Sequence, residues 1–250
     1  MSDISASGRV IGSTGALRRE AWLNNLPFII VLSAFGIYTT WRAIMGRFYY
    51  TAPYLSPCYS PLIDPEHHWW PFSPAILILG GPLGFRLTCY YYRKAYYRAF
   101  FLDPVGCAVS ESHKSYSGER RFPFILQNVH RYFFYVAVFF VAFLWYDAIL
   151  AFDFNGTFGI GVGSLIMLAN IILLTTYTFS CHSLRHLVGG KLDCFSCATF
   201  GKPRHSIWGG VTKLNEHHMF WAWVSMISVG VTDLYIYLVA SGAIRDIRLL

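Results

Sequence analysis

Long apolar stretches alternate with short basic and aromatic segments along most of the chain. Five stretches reach or approach the ~20 residues that a helix needs to cross the hydrocarbon core of a bilayer. They cover residues 21–41, 73–92, 131–152, 158–180 and 219–242. Backbone N–H and C=O groups inside a membrane must be satisfied within the segment itself. The pattern therefore predicts an all-α integral membrane protein with five transmembrane helices in a bundle.

The second stretch is the weakest of the five, because it contains Pro82, Arg86 and a pair of glycines. A re-entrant segment is the alternative for such a stretch. Aromatic clusters lie at both ends, at residues 69–70 and 90–92, and aromatic residues of this kind are enriched at membrane interfaces. We therefore expect this stretch to span the membrane.

Composition supports a membrane location for the whole chain. Of the 250 residues, 55% are hydrophobic and only 13% are charged, and the mean hydropathy is +0.42. These values exclude an ordinary soluble domain. No repeat or separate soluble segment is visible, so residues 1–250 are predicted to form a single transmembrane domain.

The basic residues predict the orientation of the bundle. With the N-terminus in the cytoplasm, fifteen Lys and Arg residues fall on the cytoplasmic side, four fall outside and Arg86 lies within a span. This asymmetry follows the positive-inside rule and places the C-terminus outside. It also accounts for the net charge of +7 without a nucleic-acid partner. The polar N-terminus shows no cleavage pattern, so we expect the first helix to remain in the mature protein.

Histidines and cysteines are concentrated just after the fourth apolar stretch, in "SCHSLRHLVGGKLDCFSC" (residues 180–197). His182 and His186 are four residues apart, which places two imidazoles on one helix face. Cys194 and Cys197 form C-x2-C, a spacing with which two thiolates can bind one metal ion. These four side chains are the predicted metal ligands.

Other candidate ligands fall at the same predicted depth. Cys181 precedes the paired histidines, His130 opens the third apolar stretch, and His217 and His218 open the fifth. These four residues are the alternatives if the first set is not the site. The adjacent pair His67 and His68 lies in a Pro- and Tyr-rich outer loop and is a weak metal signal.

Three kinds of metal centre fit two histidines and two cysteines, or histidines alone. A tetrahedral zinc ion would join loop to helix, and a Rieske-type 2Fe-2S cluster has two thiolates on one iron and two imidazoles on the other. A haem b could be held by histidines from different helices. The first two apolar stretches contain no histidine, which disfavours two haems. Spacing alone leaves zinc, iron–sulfur and a single haem open.

Two acidic residues are predicted inside the outer half of the membrane. Asp147 and Asp233 each lie about sixteen residues, or ~24 Å, from the cytoplasmic end of their span. Arg42, at the outer end of the first span, could neutralise them. An ion-paired contact between helices is the expected arrangement, with a proton path or a second ligand site near the outer face as the alternative.

The segment "CHSLRHL" resembles part of the cytochrome b anchor subunits of succinate dehydrogenases and fumarate reductases. With the five spans, "PLGFRLTCYYYRKAYYRAFFLDP" and "CHSLRHLVGGKLDCFSCATFGKPRH", the chain resembles the SdhC-type membrane anchor of an actinobacterial succinate dehydrogenase, respiratory complex II. The resemblance implies a multi-pass protein of the bacterial plasma membrane. It further implies electron transfer from flavoprotein and iron–sulfur subunits on the cytoplasmic face to membrane quinone, with a further small membrane subunit as a possible partner.

The same resemblance implies a Rieske-type 2Fe-2S cluster in place of haem, with His182, His186, Cys194 and Cys197 as its ligands and Arg185 beside it. Such a cluster has a reduction potential of roughly −150 to +300 mV, which suits electron transfer toward menaquinone or ubiquinone. No Gly-rich dinucleotide turn is present. We therefore expect the chain to act as a subunit of a succinate:quinone oxidoreductase and not to oxidise succinate alone.

Arg86 is the charged residue predicted within a span, and an intramembrane charge is a functional candidate. A structural arginine paired within the bundle is the alternative. Tyr90, Tyr91 and Trp208 are predicted near the same layer. Together with Arg86 they are the predicted quinone-binding residues.

Overall fold

The computed structural model describes residues 14–63, 72–96, 99–100, 124–190 and 192–250. His67 and His68 lie outside these described residues, as does most of the predicted cytoplasmic loop 93–130. The eight α-helices of the described residues are α1 (Thr14–Met45), α2 (Pro74–Thr88), α3 (Tyr90–Tyr96), α4 (His130–Leu150), α5 (Val162–Phe179), α6 (His182–Val188), α7 (Gly201–Glu216) and α8 (His218–Ala240). Short 3₁₀ helices cover Pro57–Tyr59 and Phe124–Val129.

Four helices of the described residues are long and apolar enough to cross a membrane. They correspond to the predicted first, third, fourth and fifth spans and cover Trp22–Met45 of α1, His130–Leu150, Val162–Phe179 and His218–Ala240. The prediction of a helical membrane bundle is therefore confirmed. The five-span count and the orientation stay predictions.

The predicted second span is divided in two. Helix α2 has 15 residues, or ~22 Å at 1.5 Å per residue, which is shorter than the ~30 Å hydrocarbon core. Cys89 has an extended backbone, with φ −67° and ψ 130°, and α3 begins at the next residue. The interruption places the Cys89 side chain at the junction of two helices.

The helices pack in sequential and non-sequential pairs. Helix α5 packs along α8, α2 packs along α4, and α4 packs along α5. Gly84 permits the close approach of α2 to α4, because a Cβ atom at this position would lie 2.1 Å from a ring carbon of Phe133. A larger residue at Gly84 would force the two helices apart.

One end of the bundle is closed by the segment after α1. Strands β1 (Tyr50–Thr51) and β2 (Tyr54–Leu55) form an antiparallel hairpin, and β3 (Asp153–Phe154) pairs with β4 (Thr157–Phe158). Tyr54 donates a hydrogen bond to Asp246 over 2.5 Å, which ties the hairpin to the C-terminal segment. This end is opposite the one where α4 and α8 begin.

The two intramembrane aspartates have different partners. Arg42 and Asp233 form a buried ion pair with Nε and Oδ2 2.7 Å apart, as predicted. Asp147 instead accepts a hydrogen bond from Ser60 over 2.5 Å. Arg42 therefore neutralises Asp233, as predicted, whereas Asp147 is hydrogen-bonded to a neutral hydroxyl group.

Candidate metal centre

The structure does not bring the four predicted ligands together. Cys194 and Cys197 form a disulfide with each other. His186 accepts a hydrogen bond at Nδ1 from Arg131 over 2.8 Å, and His182 is exposed at the start of α6. Within the described ranges, no three His, Cys, Asp or Glu side chains are placed to hold one metal ion in common.

A different set of cysteines and histidines meets inside the bundle as two pairs. His130 Nε2 lies 3.2 Å from Cys181 Sγ, and His218 Nε2 lies 3.5 Å from Cys89 Sγ. His130 and His218 begin α4 and α8, Cys181 follows α5, and Cys89 occupies the break between α2 and α3. Four helix ends therefore converge on one layer, and each contributes one donor.

Two hydroxyl groups hold the other nitrogen of each imidazole. Thr88 Oγ1 lies 2.8 Å from His130 Nδ1, and Ser180 Oγ lies 2.6 Å from His218 Nδ1. A partner on one ring nitrogen fixes the orientation of the ring. In both histidines this arrangement directs Nε2 toward a cysteine.

Aromatic rings join the two pairs and cover them. Phe85 stacks on His130 with ring centroids 4.8 Å apart, and Tyr177 stacks on His218 with centroids 5.1 Å apart. The rings of Phe85 and Tyr177 are themselves 5.4 Å apart. Cys89 and Cys181 belong to the same buried cluster and are 2% and 1% exposed. Both sulfur atoms and His218 are thus removed from water, while His130 is half-buried.

An apolar cavity of about 460 Å³ adjoins this layer. Phe85 and Tyr177 form part of its wall, so the rings that cover the histidines also face the cavity. Thr39, Cys58 and Thr178 are among its other lining residues. The size and mainly apolar lining are typical of a site for an apolar ligand.

Arg86 places a positive charge at the same cavity. Its Nη1 donates to Tyr92 Oη over 2.5 Å and to the carbonyl of Ala222 over 3.2 Å, and its Nη2 donates to Ser225 Oγ over 3.2 Å. Its Cζ lies 4.8 Å from the centroid of the Tyr177 ring. These contacts hold the guanidinium between α2 and α8, and no carboxylate of the described residues pairs with it.

The other predicted quinone residues lie elsewhere. Tyr90 is 56% exposed, Tyr91 packs against His218 with ring centroids 5.1 Å apart, and Trp208 lies on α7 under the guanidinium of Arg185 at 4.7 Å. None of these three lines the cavity beside Arg86. Of the predicted four, Arg86 alone is placed at that cavity.

Sequence reasoning named His130, Cys181 and His218 as alternatives and did not name Cys89. Cys89 lies inside the apolar stretch 73–92, which the sequence predicts as one continuous span, so no signal separates it from a small apolar core residue. The run of threonine, cysteine and tyrosines at residues 88–92 was the available hint, since polar and aromatic residues gather at helix ends near the membrane interface.

Comparison with known proteins identifies the family. The family model described as actinobacterial succinate dehydrogenase subunit SdhC matches residues 23–242. The chain belongs to this SdhC family. It is therefore a membrane subunit of succinate dehydrogenase, as the resemblance implied.

A solved structure agrees with this SdhC assignment. A chain of the Mycobacterium smegmatis Sdh1 complex in the apo form is 46% identical, with a TM-score of 0.81 and 92% of each chain covered. No curated protein matches the chain.

Proposed function

We propose that this SdhC chain passes electrons from the soluble part of succinate dehydrogenase to membrane quinone through a 2Fe-2S cluster held by Cys89, Cys181, His130 and His218. The observation that carries the proposal is the convergence of two Cys–His pairs from four helix ends, one part-buried at 3.2 Å and one buried at 3.5 Å. This set replaces His182, His186, Cys194 and Cys197 as the preferred ligands. The type of metal centre is the one that the resemblance implied.

The donor chemistry fits a Rieske-type cluster. Such a centre has two thiolates on one iron and two imidazoles on the other. The set holds both kinds of donor in this number, and each iron would take its two ligands from different Cys–His pairs. A haem would use the histidines and leave Cys89 and Cys181 without a role, and soft thiolates favour iron–sulfur or zinc. A tetrahedral zinc ion would take the same four donors, and acid-labile sulfide, which only the cluster contains, distinguishes the two centres. When bound, a 2Fe-2S cluster accepts and releases one electron at a time.

The protein's own contribution is to orient the donors and to exclude water. Thr88 and Ser180 hold the remote nitrogens of the two imidazoles, which prevents the rings from turning away. Phe85 and Tyr177 cover the imidazole faces. Burial of this kind raises the influence of each nearby charge and hydrogen bond, because water no longer screens them.

The cavity beside Arg86 is the proposed quinone site. A quinone ring and the beginning of an isoprenoid tail are apolar and match its walls, while Arg86 supplies a donor for a quinone oxygen. Tyr177 and Phe85 separate this space from His218 and His130, so the two sites are adjacent. Menaquinone and ubiquinone both fit this description.

The surrounding assembly follows from the SdhC family. We place the flavoprotein and iron–sulfur subunits at the end of the bundle where α4 and α8 begin, because the proposed metal centre lies there and the predicted cytoplasmic basic residues cluster there. The protein is then a multi-pass protein of the bacterial plasma membrane. Succinate oxidation itself takes place in the soluble subunits.

The decisive experiment measures the metal centre in the purified complex. Iron, zinc, haem and acid-labile sulfide are determined, and paramagnetic resonance spectra of the reduced complex are recorded for the wild type and for Cys→Ser variants. Cys89→Ser and Cys181→Ser should lose the SdhC cluster signal and quinone reduction while succinate-driven dye reduction survives. Cys58→Ser, at a buried cysteine of the 3₁₀ helix Pro57–Tyr59, is the control for the cluster signal, which it should keep. Quinone reduction is not compared in this variant, because Cys58 also lines the cavity.

The same series tests the ligands named from sequence spacing. The opposite result would place the metal ligands in the segment after α6. In that case the signal would be lost in Cys194→Ser and Cys197→Ser and kept in Cys89→Ser and Cys181→Ser. Haem or zinc in stoichiometric amount, without additional sulfide, would replace the iron–sulfur proposal.

A further inference from the structure

A second cavity lies at the end of the bundle opposite the Cys–His pairs. Its volume is about 820 Å³, and its walls come from the C-terminal half of α4, the hairpin β1–β2, the segment after the first 3₁₀ helix and the hairpin β3–β4. Most of the lining residues are apolar. Phe139 and Tyr146 on α4 are 60% and 61% exposed, and because α4 is a span by length and hydropathy, its exposed side chains face the bilayer. The cavity is therefore open to the acyl chains of lipids.

Asp147 places a buried carboxylate in the wall of this cavity. The residue is 9% exposed, and its Oδ2 accepts a hydrogen bond from Ser60 over 2.5 Å. Among the described residues, no group donates a hydrogen bond to its Oδ1, and no Lys or Arg forms an ion pair with it. A charge within an apolar span is costly unless it is paired. A cation that enters the cavity would supply the counter-charge.

The other polar residues of the wall limit the kind of ligand. Asp153 is the second charged residue of the described lining and is also acidic, and this lining contains no Lys, Arg or His. An anionic ligand is disfavoured for this reason, and a small soluble cation would leave the apolar wall of Phe139 and Phe143 unused. Tyr50 and Asn155 carry side-chain donors that suit a phosphate oxygen. The cavity thus matches an amphiphile with hydrocarbon chains, a phosphate and a cationic headgroup.

The depth of Asp147 agrees with a membrane lipid as this ligand. Asp147 lies three residues before the end of α4 at Leu150, or ~4.5 Å at 1.5 Å per residue. A helix of 21 residues covers about the thickness of the hydrocarbon core, so the carboxylate lies close to the layer of the lipid headgroups. Acyl chains that start at this layer would run along α4 toward Phe143 and Phe139.

We propose that this cavity binds one phosphatidylethanolamine molecule, a phospholipid with a primary-amine headgroup, whose ammonium group donates a hydrogen bond to Asp147. A charged donor and a carboxylate make the stronger kind of hydrogen bond, and the contact neutralises the buried charge. The acyl chains cover the exposed rings of Phe139 and Tyr146. The site is independent of the proposed metal centre, which lies at the other end of the bundle.

The test is lipid retention by the purified complex. The complex is stripped of lipid, incubated with equal amounts of phosphatidylethanolamine and phosphatidylglycerol that carry the same acyl chains, washed with detergent and analysed by native mass spectrometry. The wild type should retain one phosphatidylethanolamine per SdhC chain in preference to phosphatidylglycerol. Asp147→Asn keeps an acceptor for Ser60 but removes the charge, so it should retain about tenfold less phosphatidylethanolamine, because a charged hydrogen bond is lost.

A second variant keeps the test decisive if Asp147→Asn assembles poorly. Ala142 is an exposed residue of α4 in the cavity wall, so Ala142→Trp fills the space and should also lower the retention of phosphatidylethanolamine. Ala169→Trp is the matched control, because Ala169 is exposed at a similar depth on α5 but does not line the cavity, and it should keep the lipid.

Three results would overturn the proposal. The first is equal retention of the two lipids by the wild type, and the second is full retention of phosphatidylethanolamine in either Asp147→Asn or Ala142→Trp. The third is retention of a quinone in place of the phospholipid, which would assign the cavity to a different class of ligand.

Discussion

The guanidinium of Arg42 and the carboxylate of Asp233 meet inside the bundle with Nε and Oδ2 2.7 Å apart, and neither side chain is exposed. The pair joins α1 to α8. Asp233 also accepts hydrogen bonds from Tyr38 over 2.5 Å and from Ser56. Arg42 donates to the carbonyl groups of Arg47 and Phe48, so one ion pair connects two helices and the segment that follows α1.

The first prediction concerns the stability that this pair provides. Asp233→Asn should destabilise the protein by about 3–5 kcal/mol, because it leaves a buried guanidinium without its counter-charge. The melting temperature of the purified complex measures this effect. Arg47→Gln is the control, since Arg47 is exposed, and a change at the surface is usually within about 0.5 kcal/mol. Equal melting temperatures for Asp233→Asn and the wild type would show that the pair is not structural.

The Arg42–Asp233 ion pair and the layer of Cys–His pairs differ in how well the sequence predicts them. Arg42 and Asp233 could be paired from the sequence, because rare charges within apolar spans must find partners and few candidates existed at that depth. Four of the five predicted spans followed from length and hydropathy, because a helix needs ~20 apolar residues to cross the hydrocarbon core. These features depend on where a residue lies along one helix.

The layer of Cys–His pairs depends instead on how the ends of different helices meet. His182 and His186 were favoured because i, i+4 spacing places them on one face, and Cys194 and Cys197 because they are close in sequence. The buried pairs instead join His130 to Cys181 and Cys89 to His218, separated by 51 and 129 residues. Spacing along the chain carries no information about such contacts. The helix break at Cys89 lies within an apolar stretch, so hydropathy does not mark it.

The second prediction concerns the hydroxyl that orients His218. Ser180→Ala removes the partner of Nδ1, so the imidazole should be held less firmly and metal affinity should fall about 10–100-fold. Iron content of the complex after dialysis against a chelator measures the loss. Thr176→Val is a suitable control, because its hydroxyl donates to the carbonyl of Ile172 and not to a histidine. Equal iron retention in Ser180→Ala and the control would contradict the role of the hydroxyl.

The third prediction concerns Arg86 and quinone. Arg86→Gln should lower quinone reduction by about tenfold or more, because the loss of a charged hydrogen bond costs about 1.5–3 kcal/mol. Dye reduction by the soluble subunits should be unchanged, and the cluster signal should remain. Arg185→Gln removes a charge outside the cavity, where Arg185 donates to Thr212, and should have a smaller effect. Normal quinone kinetics in Arg86→Gln would remove this arginine from the site.

The last prediction concerns orientation, because the relay requires the metal layer to face the soluble subunits. Fifteen basic residues fall on the side that holds the N-terminus, against four on the other, and this bias sets the orientation of membrane proteins. A reporter fused after Leu250 should therefore be active outside the cell, and one inserted near Gly118, in the predicted cytoplasmic loop before α4, should be active in the cytoplasm.

The length of α4 shows why the reporter result decides the position of the Cys–His pairs. His130 begins α4, and a helix of 21 residues covers ~32 Å at 1.5 Å per residue, so His130 and Asp147 lie toward opposite faces. The reverse reporter pattern would place the two Cys–His pairs on the outer face, away from the subunits that supply electrons, and would exclude the proposed relay.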